Sequence, residues 1–457
     1  MAIRSRTFPG GYAFRRFAGR PEDSLVEAPL PSKALLPLRS AAGADLPALV
    51  KTRETVKAGQ AIARDEASGA LVMATVSGQV EELKPAAWLG GKTNVATIIA
   101  DGSPDWLPLE GHTPDWRHAT AEALRGLIAR AGAAALPGSA SRLVVQAAED
   151  EPYNPSPAVL VKAWGLEALV EGLGILSRAL PGAALHLAFR RDRRALAARV
   201  EGAARKAGLE VRLFTVAGKY PQAHPAVLAP TLFGKGLEAG PAVFDLQTVL
   251  QARDAVVLGK PAIERVVALA GTGFAARPHL RVRVGFPAGE LAQPYLRAGR
   301  ESRLVINSLL GGAALAAQAP LPPQASVLVA VPENKEGELL SFASPGFASD
   351  SRSLTFAASL LPFAKRTDTN LHGEGRACIS CGFCEDVCPV RILPHILHRY
   401  VKKNVIDETL VRFRIFRCID CNLCSYVCTS KIPLARLMRE GKEKLAKEGL
   451  APREVGA

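Results

Sequence analysis

Eight cysteines form two runs near the carboxyl end of this 457-residue chain. The first run is CISCGFCEDVCPV, starting at Cys378, and the second is CIDCNLCSYVCTSKIP, starting at Cys418. Each run spaces its cysteines as C-x2-C-x2-C-x3-C. Three thiolates on one tight loop fit three irons of an iron–sulfur cube, and in two-cluster ferredoxins the fourth cysteine of such a run binds the other cluster. The spacing therefore predicts two [4Fe–4S] clusters.

The predicted ligands form two sets, and each set takes one cysteine from the other run. The first cluster is assigned Cys378, Cys381, Cys384 and Cys428, and the second is assigned Cys418, Cys421, Cys424 and Cys388. A disulfide framework suits a short secreted chain, and a zinc site generally takes two cysteines from each of two distant knuckles. Both stay as weaker alternatives.

Residues around the cysteines have expected structural roles. Pro389 fixes the chain's exit from the first run, and we expect Thr429 to make the same exit from the second without a proline. Gly382 lets the backbone pass close to a cluster. We expect Ile379 and Ile419 to cover the clusters with apolar surface.

The segment between the runs predicts a helix that begins at Pro394, with Leu397, Val401 and Val405 on its core face. We interpret His395 and His398 as solvated residues of this helix, with no ligand role. After the second run, IPLARLMREGKEKLAKEG predicts a basic terminal helix.

Composition places the chain among ordinary folded proteins with two to four domains, since 48% of it is hydrophobic and 22% is charged. The net charge of +14 favours an anionic membrane face or an acidic partner. Nucleic acid is disfavoured, because aromatic residues make up only 6% and no recognition motif occurs.

Neither a secretory leader nor a spanning helix is expected. The first residues carry charge without an apolar run behind them. The longest uncharged stretch, 304–332, contains Pro320, Pro322, Pro323 and the pair Gly311 and Gly312, which would break a membrane helix. Unpaired cysteine usage fits a reducing cytoplasm.

The residues before the cysteine runs fall into three regions with different strand and helix patterns. Residues 50–83 alternate short β-type runs with turns and resemble the barrel-sandwich hybrid of lipoyl and biotinyl domains, with EASGAL where the modified lysine would lie. From about residue 120, helical and strand patterns alternate, which predicts a parallel sheet. LVKAWGLEALVEGLGILSRAL predicts one long helix there. ERVVALAGTGF and HLRVRVGFP then predict two short strands about a glycine turn.

This order of parts resembles the RnfC/NqrA family, the peripheral subunits of the Rnf and Nqr respiratory complexes. Besides the cysteine runs, the matching segments are FPGG, AEDEPY, GKYPQ and GKPAIERVVALAG, which begin at Phe8, Ala148, Gly218 and Gly259. RTDTNLHGEGRA before the clusters and the tail after them are NqrA-like. The body thus resembles NqrA, while the cluster end resembles RnfC, because NqrA typically lacks these cysteines.

The resemblance implies a multidomain α/β and α+β fold. Its implied parts are an N-terminal segment with a barrel-sandwich hybrid domain (1–110), a Rossmann-like parallel α/β domain (118–255), a β-grasp (SLBB-like) module (256–335), a linker (336–366) and a dicluster ferredoxin-like α-helical domain (367–457).

One departure from the family concerns flavin. RnfC-type subunits carry a GxGGxGFP loop for flavin and nicotinamide, but the corresponding stretch AGAAALPGSAS keeps only Gly132 and Gly138. Its alanines and proline are stiffer than glycine, and proline has no N–H. This departure argues against FMN and NADH, although Glu149 and Glu151 of the degenerate flavin site persist.

The implied function is a non-flavin, electron-transfer subunit of an Nqr/Rnf-type complex. It would lie on the inner face of the cell membrane and exchange electrons with integral-membrane and redox subunits during ion translocation. One alternative is a soluble NADH-oxidising flavin and iron–sulfur enzyme, similar to the cobalamin-reducing relatives of RnfC. Another is an assembly scaffold with vestigial clusters.

Overall fold

A computed structural model describes most of the chain: residues 4–14, 17–40, 43–64, 71–88, 91–148, 153–234, 240–335, 367–372 and 374–450. Three features expected from the sequence lie outside these residues. They are the hairpin segment at 65–70, the carboxylates Glu149 and Glu151, and the linker 336–366.

The strands and helices follow one another along the described chain. The strands are β1 (Arg4–Arg6), β2 (Leu25–Glu27), β3 (Lys33–Pro37), β4 (Thr55–Val56), β5 (Ala61–Arg64), β6 (Leu71–Met73), β7 (Gly78–Trp88), β8 (Gly91–Ala100), β9 (Arg142–Ala147), β10 (Ala184–Arg190), β11 (Val211–Val216), β12 (Ala242–Asp245), β13 (Glu264–Ala270), β14 (His279–Arg283), β15 (Ser302–Ile306), β16 (Ala313–Leu315) and β17 (Val327–Pro332). The helices are α1 (Ala121–Arg130), α2 (Pro157–Trp164), α3 (Leu166–Ala179), α4 (Arg194–Lys206), α5 (Pro225–Phe233), α6 (Leu246–Val257), α7 (Ala288–Ala292), α8 (Phe383–Asp386), α9 (Pro394–Lys402), α10 (Glu408–Arg412), α11 (Leu423–Tyr426) and α12 (Leu434–Lys447).

The amino-terminal part is a small β structure. Strands β3, β8, β7 and β4 form an antiparallel sheet in that order, and β5 pairs with β6 as a second, two-stranded sheet. Small and branched residues that alternate along these strands fill the core between them, including Ala34, Leu36, Ile62 and Ile98. The predicted β-type runs are therefore present.

The middle of the chain contains the predicted parallel sheet. Its order is β1-β11-β10-β9-β12, and every neighbouring pair is parallel. Helices α1, α3 and α6 pack on it through a core that includes Leu143, Leu173 and Leu250. Sequence patterns gave no sign that the first strand of the chain joins this sheet, which it does by pairing Arg4–Arg6 with β11.

The prediction of one long helix after β9 was wrong. The segment forms two helices, α2 and α3, that meet at Gly165. Gly165 has a φ of +95°, which a residue with a side chain rarely adopts, so the backbone turns there.

A second, mixed sheet follows the parallel one. Its order is β16-β15-β17-β13-β14-β2, with β13 and β14 antiparallel as predicted. The short amino-terminal strand β2 pairs with β14 at its edge. Phe274, Leu280 and Leu328 are fully buried in the core of this sheet.

The carboxyl-terminal part is helical and repeats itself. Each cysteine run contains one turn of helix, α8 or α11, that carries its third cysteine, and each run is followed by a longer helix, α9 or α12. Helix α9 begins at Pro394 and α12 runs from Leu434, so both predicted helices are present. Leu397 and Val401 are buried as expected, whereas Val405 lies beyond the end of α9 and is 38% exposed.

Candidate iron–sulfur centre

The two cysteine runs have the same local backbone. Ser380 and Asp420 each follow the first cysteine by two positions, and both have a φ of 54°. Gly382 and its counterpart Asn422 are also left-handed, with φ values of 78° and 61°. Left-handed residues tighten a loop, so each run curls its first three thiols toward one side. Glycine is thus not required at this position, since asparagine tolerates the same conformation.

The exits from the two runs also match. Arg391 and Lys431 have the same φ of 53°, and their N–H groups donate to the carbonyls of Cys388 and Cys428 at 3.3 Å and 3.1 Å. Thr429 therefore occupies the same type of exit turn as Pro389, as the sequence predicts.

The first predicted ligand set comes together across the two runs. Burial raises the pKa of Cys384 to about 12, and negative charge on Cys428 and Cys381 adds to the rise. Cys381 Sγ also lies 3.9 Å from the hydroxyl of Thr429, the residue next to Cys428. The fourth cysteine of the second run thus lies with the first run.

The second predicted set comes together in the same way. Burial raises the pKa of Cys421 to about 12, and charges on Cys418 and Cys388 raise it further. Burial also raises the pKa of Cys424 well above its usual value, with added repulsion from these three thiols. Thiols held this close in an apolar place favour a cationic core that binds them as thiolates. The donor set therefore fits an iron–sulfur cluster.

Individual metal ions are a separate case. In the described ranges, no three His, Cys, Asp or Glu side chains are arranged to hold one metal ion. Each thiolate of an iron–sulfur cube binds a different iron, so the thiols need not converge on a single point.

The two sets differ in exposure. In the first, Cys381 is exposed, and Cys378 and Cys428 are half-buried. The second set lies against the body of the protein, where Cys421 contacts an apolar cluster that includes Tyr220 and Val329. One set thus faces solvent and the other faces inward.

The segment FPGG packs beneath the inward-facing set. Gly11 N–H donates to the carbonyl of Val387 at 2.9 Å, one residue before Cys388. Gly10 has a φ of +71°, and a methyl group there would meet the carbonyl oxygens of Val387 and Cys388 at 2.8 Å each. Only glycine allows this approach.

The segment GKYPQ holds FPGG in place. Lys219 Nζ donates to the carbonyl of Gly10 at 2.7 Å and also to that of Phe8. Tyr12 and Tyr220 form an antiparallel bridge beside this contact. Two matching segments, more than two hundred residues apart, therefore form a single support for the Cys388 turn.

Aromatic rings continue this support. Tyr12, Phe14, Phe17 and Tyr426 pack edge to face or tilted, with centroids 4.9–6.3 Å apart. Tyr426 lies in the second run, between Cys424 and Cys428. The aromatic cluster thus attaches the cysteine runs to the amino-terminal segment.

Polar contacts position the second run as well. Lys442 Nζ donates to Asp420 Oδ2 at 2.6 Å and to the carbonyl of Cys418 at 3.2 Å. Asn422 Nδ2 donates to the carbonyl of Leu310 at 2.7 Å. These contacts place one positive charge beside the inward-facing thiols and connect the second run to the mixed sheet.

The expectation that both nearby histidines are solvated was wrong for His398. His398 is buried, and its Nδ1 lies 3.1 Å from the carbonyl of Pro394, so it is not a solvated residue. His395 is only partly exposed, with Nδ1 3.8 Å from a Glu385 oxygen. Ile379 is 68% exposed and Ile419 is half-buried, and their covering of the clusters stays a prediction.

The stretch that replaces the family's flavin loop does not form a cradle. Ala133, Ala134 and Leu136 pack against the core of the parallel sheet. The N–H groups of Gly132 and Ala133 donate to carbonyls at the end of α1. The loop therefore directs its side chains inward and uses these N–H groups internally, so its described residues do not fit a flavin phosphate.

The described residues at the carboxyl ends of β9 and β12 also leave little space. The cavity there is about 160 Å³ and is lined by residues that include Gln146, Asn154 and Asp245. Small-molecule pockets are usually ~300 Å³ or more.

The search for membrane-spanning helices gave a negative result. Among the residues that the structure describes, none of the helices has the length and apolar character needed to cross a bilayer.

Comparison with known proteins identifies two regions. The RnfC barrel sandwich hybrid domain matches residues 7–103, and a 4Fe-4S dicluster domain matches residues 377–432. The amino-terminal match agrees with the expected barrel-sandwich fold, and the carboxyl-terminal match confirms the prediction of two [4Fe–4S] clusters.

Several relatives are similar over most of the chain, and each is named as the C subunit of an ion-translocating oxidoreductase complex. The protein from Buchnera aphidicola is 24% identical over 418 residues, covering 87% of this chain and 81% of the relative. Those from Vibrio cholerae O1 and Salmonella paratyphi A are 26% and 27% identical, covering 88% and 84% of this chain. The chain spans only 51% of the length of each of these two.

A solved structure titled as an NAD+-reducing [NiFe]-hydrogenase in its H2-reduced state aligns with a TM-score of 0.43 and 14% identity. The alignment covers 76% of this chain and 66% of that one. A similarity this weak carries no argument here.

The fold and the cysteine centre define an electron-transfer protein with an RnfC-type barrel and two [4Fe–4S] clusters. The relatives extend the likeness through the middle of the sequence. Along most of its length the chain is similar to these C subunits, and its two ends match the RnfC barrel and the 4Fe-4S dicluster domain.

Proposed function

We propose that this protein is the cluster-bearing RnfC-type component of an Rnf-type ion-translocating oxidoreductase complex. It receives electrons from one redox partner and passes them to another at the inner face of the cell membrane. The single observation that carries this proposal is the unequal placement of two crosswise cysteine sets, one open to solvent and one packed against the body. A relay requires such a difference, because its two ends must face different partners.

The ligand assignment is part of the proposal. Cys378, Cys381, Cys384 and Cys428 hold the outer cluster, and Cys418, Cys421, Cys424 and Cys388 hold the inner one. The grouping of thiols across the runs supports both sets. The clusters, when bound, supply one-electron transfer at potentials that their surroundings tune.

The chain's own residues position and tune these ligands. Lys442 pairs with the Asp420 carboxylate beside Cys418, so its positive charge offsets the repulsion that Asp420 exerts on negative charge at the inner set. Gly10 and Gly11 support the turn that carries Cys388. Tyr426 and Phe14 shield the inner set from water through the aromatic cluster.

The outer set is the proposed contact for a redox partner. Ile379, beside Cys378, is 68% exposed. An exposed apolar residue beside an accessible redox centre fits a transient protein contact. Arg399, whose guanidinium donates to Ser380 Oγ at 2.9 Å, adds positive charge on the same side. An acidic redox partner would complement it.

Finer details of the architecture also belong to the proposal. We assign the parallel sheet to a Rossmann-like domain over 118–255 and the mixed sheet to a β-grasp, SLBB-like module over 256–335. Residues 1–110 form the amino-terminal segment and barrel, 336–366 the linker, and 367–457 the dicluster domain. The docking of the dicluster domain on the mixed sheet through Val329 and Leu423 supports this division.

Anaerobic reconstitution followed by an EPR-monitored redox titration tests the function. We expect two [4Fe–4S] clusters that are each reduced by one electron within the working range of cellular electron carriers. Zinc in place of iron, or reduction only outside that range, would contradict the relay. Flavin analysis of the same sample separates the alternative enzyme, because stoichiometric FMN with NADH oxidation would favour it.

A matched pair of variants tests the partner contact. Ile379→Glu places a negative charge beside the outer set, whereas Leu49→Glu changes an exposed apolar residue of the barrel that is 55% exposed. Electron exchange with membranes that carry the integral subunits should slow in the first variant only. Equal rates in both variants would contradict the assignment of this face.

A further inference from the structure

A pocket lined by arginines lies between the amino-terminal segment and the mixed sheet, apart from the cysteines. Its volume is about 340 Å³. The lining consists of the side chains and backbone of Ala18, Gly19, Thr272, Arg277, Arg297 and Arg300. We propose that this pocket binds a phosphate-bearing ligand, a diphosphate or a phosphomonoester, through the three guanidinium groups.

The charge of the pocket is largely uncompensated. Arg277 Nη2 lies 3.7 Å from a carboxylate oxygen of Glu22. Neither Arg297 nor Arg300 has a carboxylate of the described chain within ion-pair distance, and Glu301 beside them pairs with Lys335 at 3.1 Å. Three guanidiniums that share one carboxylate repel one another, and a bound anion would relieve this repulsion.

The walls of the pocket are held by backbone hydrogen bonds. Gly271 N–H donates to the carbonyl of Gly19 at 2.8 Å, and Arg297 N–H donates to that of Gly273 at 2.9 Å. Gly19 has a φ of +83°, and a methyl group there would meet the backbone of Gly271 at 2.5 Å. The two segments therefore form a closely fitted floor that does not depend on a ligand.

Two of the three guanidiniums, those of Arg277 and Arg297, are also partly fixed before any ligand binds. Arg277 donates through Nε to the carbonyl of Arg20 at 3.0 Å and through Nη1 to that of Phe274 at 3.3 Å. Arg297 Nε donates to the carbonyl of Thr272 at 3.1 Å. Preorganised donors lose less conformational entropy on binding.

The chemistry favours phosphate over a single carboxylate. A carboxylate carries one negative charge and pairs with one guanidinium fork, whereas a phosphomonoester or diphosphate carries two or more charges and oxygens on several sides. The cavity is at the small end of the ~300–1,000 Å³ range of ligand pockets, so it suits a phosphate group better than a large aromatic ring system. The phosphate could belong to a free metabolite or to a lipid headgroup.

Titration calorimetry of the intact, cluster-loaded protein in phosphate-free buffer tests the pocket, with pyrophosphate as the probe. The wild type should bind saturably. Arg297→Gln with Arg300→Gln should weaken binding at least about tenfold, since each lost charge-assisted contact contributes substantially. Arg194→Gln with Arg439→Gln is the control, because it removes the same charge from two exposed arginines elsewhere and should leave affinity unchanged.

Vesicles distinguish the two sources of phosphate. Phosphatidylcholine vesicles with phosphatidic acid present a phosphomonoester, and pure phosphatidylcholine vesicles do not. The pocket would be assigned to a lipid headgroup if the protein is retained only on the vesicles with phosphatidic acid and does not bind pyrophosphate. That retention should also be lost in the variant that lacks Arg297 and Arg300. Absence of both interactions, or equal weakening in the two double variants, would overturn the proposal.

Discussion

Replacing Gly10 by alanine should loosen the inner cysteine set selectively. The new methyl group would lie 2.8 Å from two carbonyl oxygens and 3.0 Å from the carbonyl carbon of Cys388. These are backbone atoms, so they cannot rotate away as a side chain could. The φ of +71° adds the strain of a left-handed alanine.

The magnitude follows from two terms. Left-handed strain costs roughly 1–2 kcal/mol, and overpacking of this kind costs roughly 1–3 kcal/mol. Gly102→Ala is a matched control, because Gly102 has a φ of +85° but a methyl group placed on it would meet no atom within 4 Å. Gly102→Ala introduces the left-handed strain without a steric clash. The difference in free energy cost between the two variants is therefore the cost of overpacking alone.

Iron release to a ferrous chelator under anaerobic conditions measures the effect. A difference of about 1–3 kcal/mol corresponds to roughly 5- to 150-fold more frequent opening of the Cys388 turn. About half of the iron should therefore leave Gly10→Ala faster than it leaves Gly102→Ala, with the other half unaffected. Equal release from both variants would refute the argument that FPGG supports the inner set.

Two further predictions concern charge. Lys442→Met should lower the reduction potential of the inner cluster, because loss of a nearby positive charge disfavours an added electron by ~1–2 kcal/mol at an effective dielectric of about 20. Lys444→Met is the control, since Lys444 pairs with Glu440 on the same helix. Equal potentials for the two variants in an EPR titration would contradict this prediction. His279 is buried with Nε2 accepting from Ser156 N–H at 3.0 Å and Nδ1 2.8 Å from the Glu22 carbonyl, and burial lowers its pKa. The unfolded chain then binds more protons, so stability is lost as pH falls below about 6.5. The apparent melting temperature should fall with acidification, and His279→Gln should reduce that slope; an unchanged slope would contradict this role.

Much of the architecture follows from local sequence signals. Alternating strand and helix patterns predicted the parallel sheet, since each buried strand and amphipathic helix is short and bounded by turn residues. The cysteine spacing predicted two clusters, because three thiolates at three-residue intervals suit few other centres. The break at Gly165 had a signal in the glycine itself, which a stricter treatment of the helix pattern would have used.

Other features depend on contacts that no local pattern contains. Arg4–Arg6 joins a strand more than two hundred residues away, and FPGG meets both Lys219 and the Cys388 turn. The exposure of Ile379 and the burial of His398 likewise have no signal in the local pattern. Cysteine spacing is also a local pattern, so it could not show which cysteine set is open to solvent and which is packed against the body.

Comparing the EPR spectra of four cysteine variants tests the crosswise ligand sets most directly. Cys388→Ala should give the same altered spectrum as Cys421→Ala, and Cys428→Ala should match Cys381→Ala, because each pair removes a ligand from one cluster. If Cys388→Ala instead matched Cys381→Ala, the fourth cysteine of each run would serve its own run, and the assignment would be wrong.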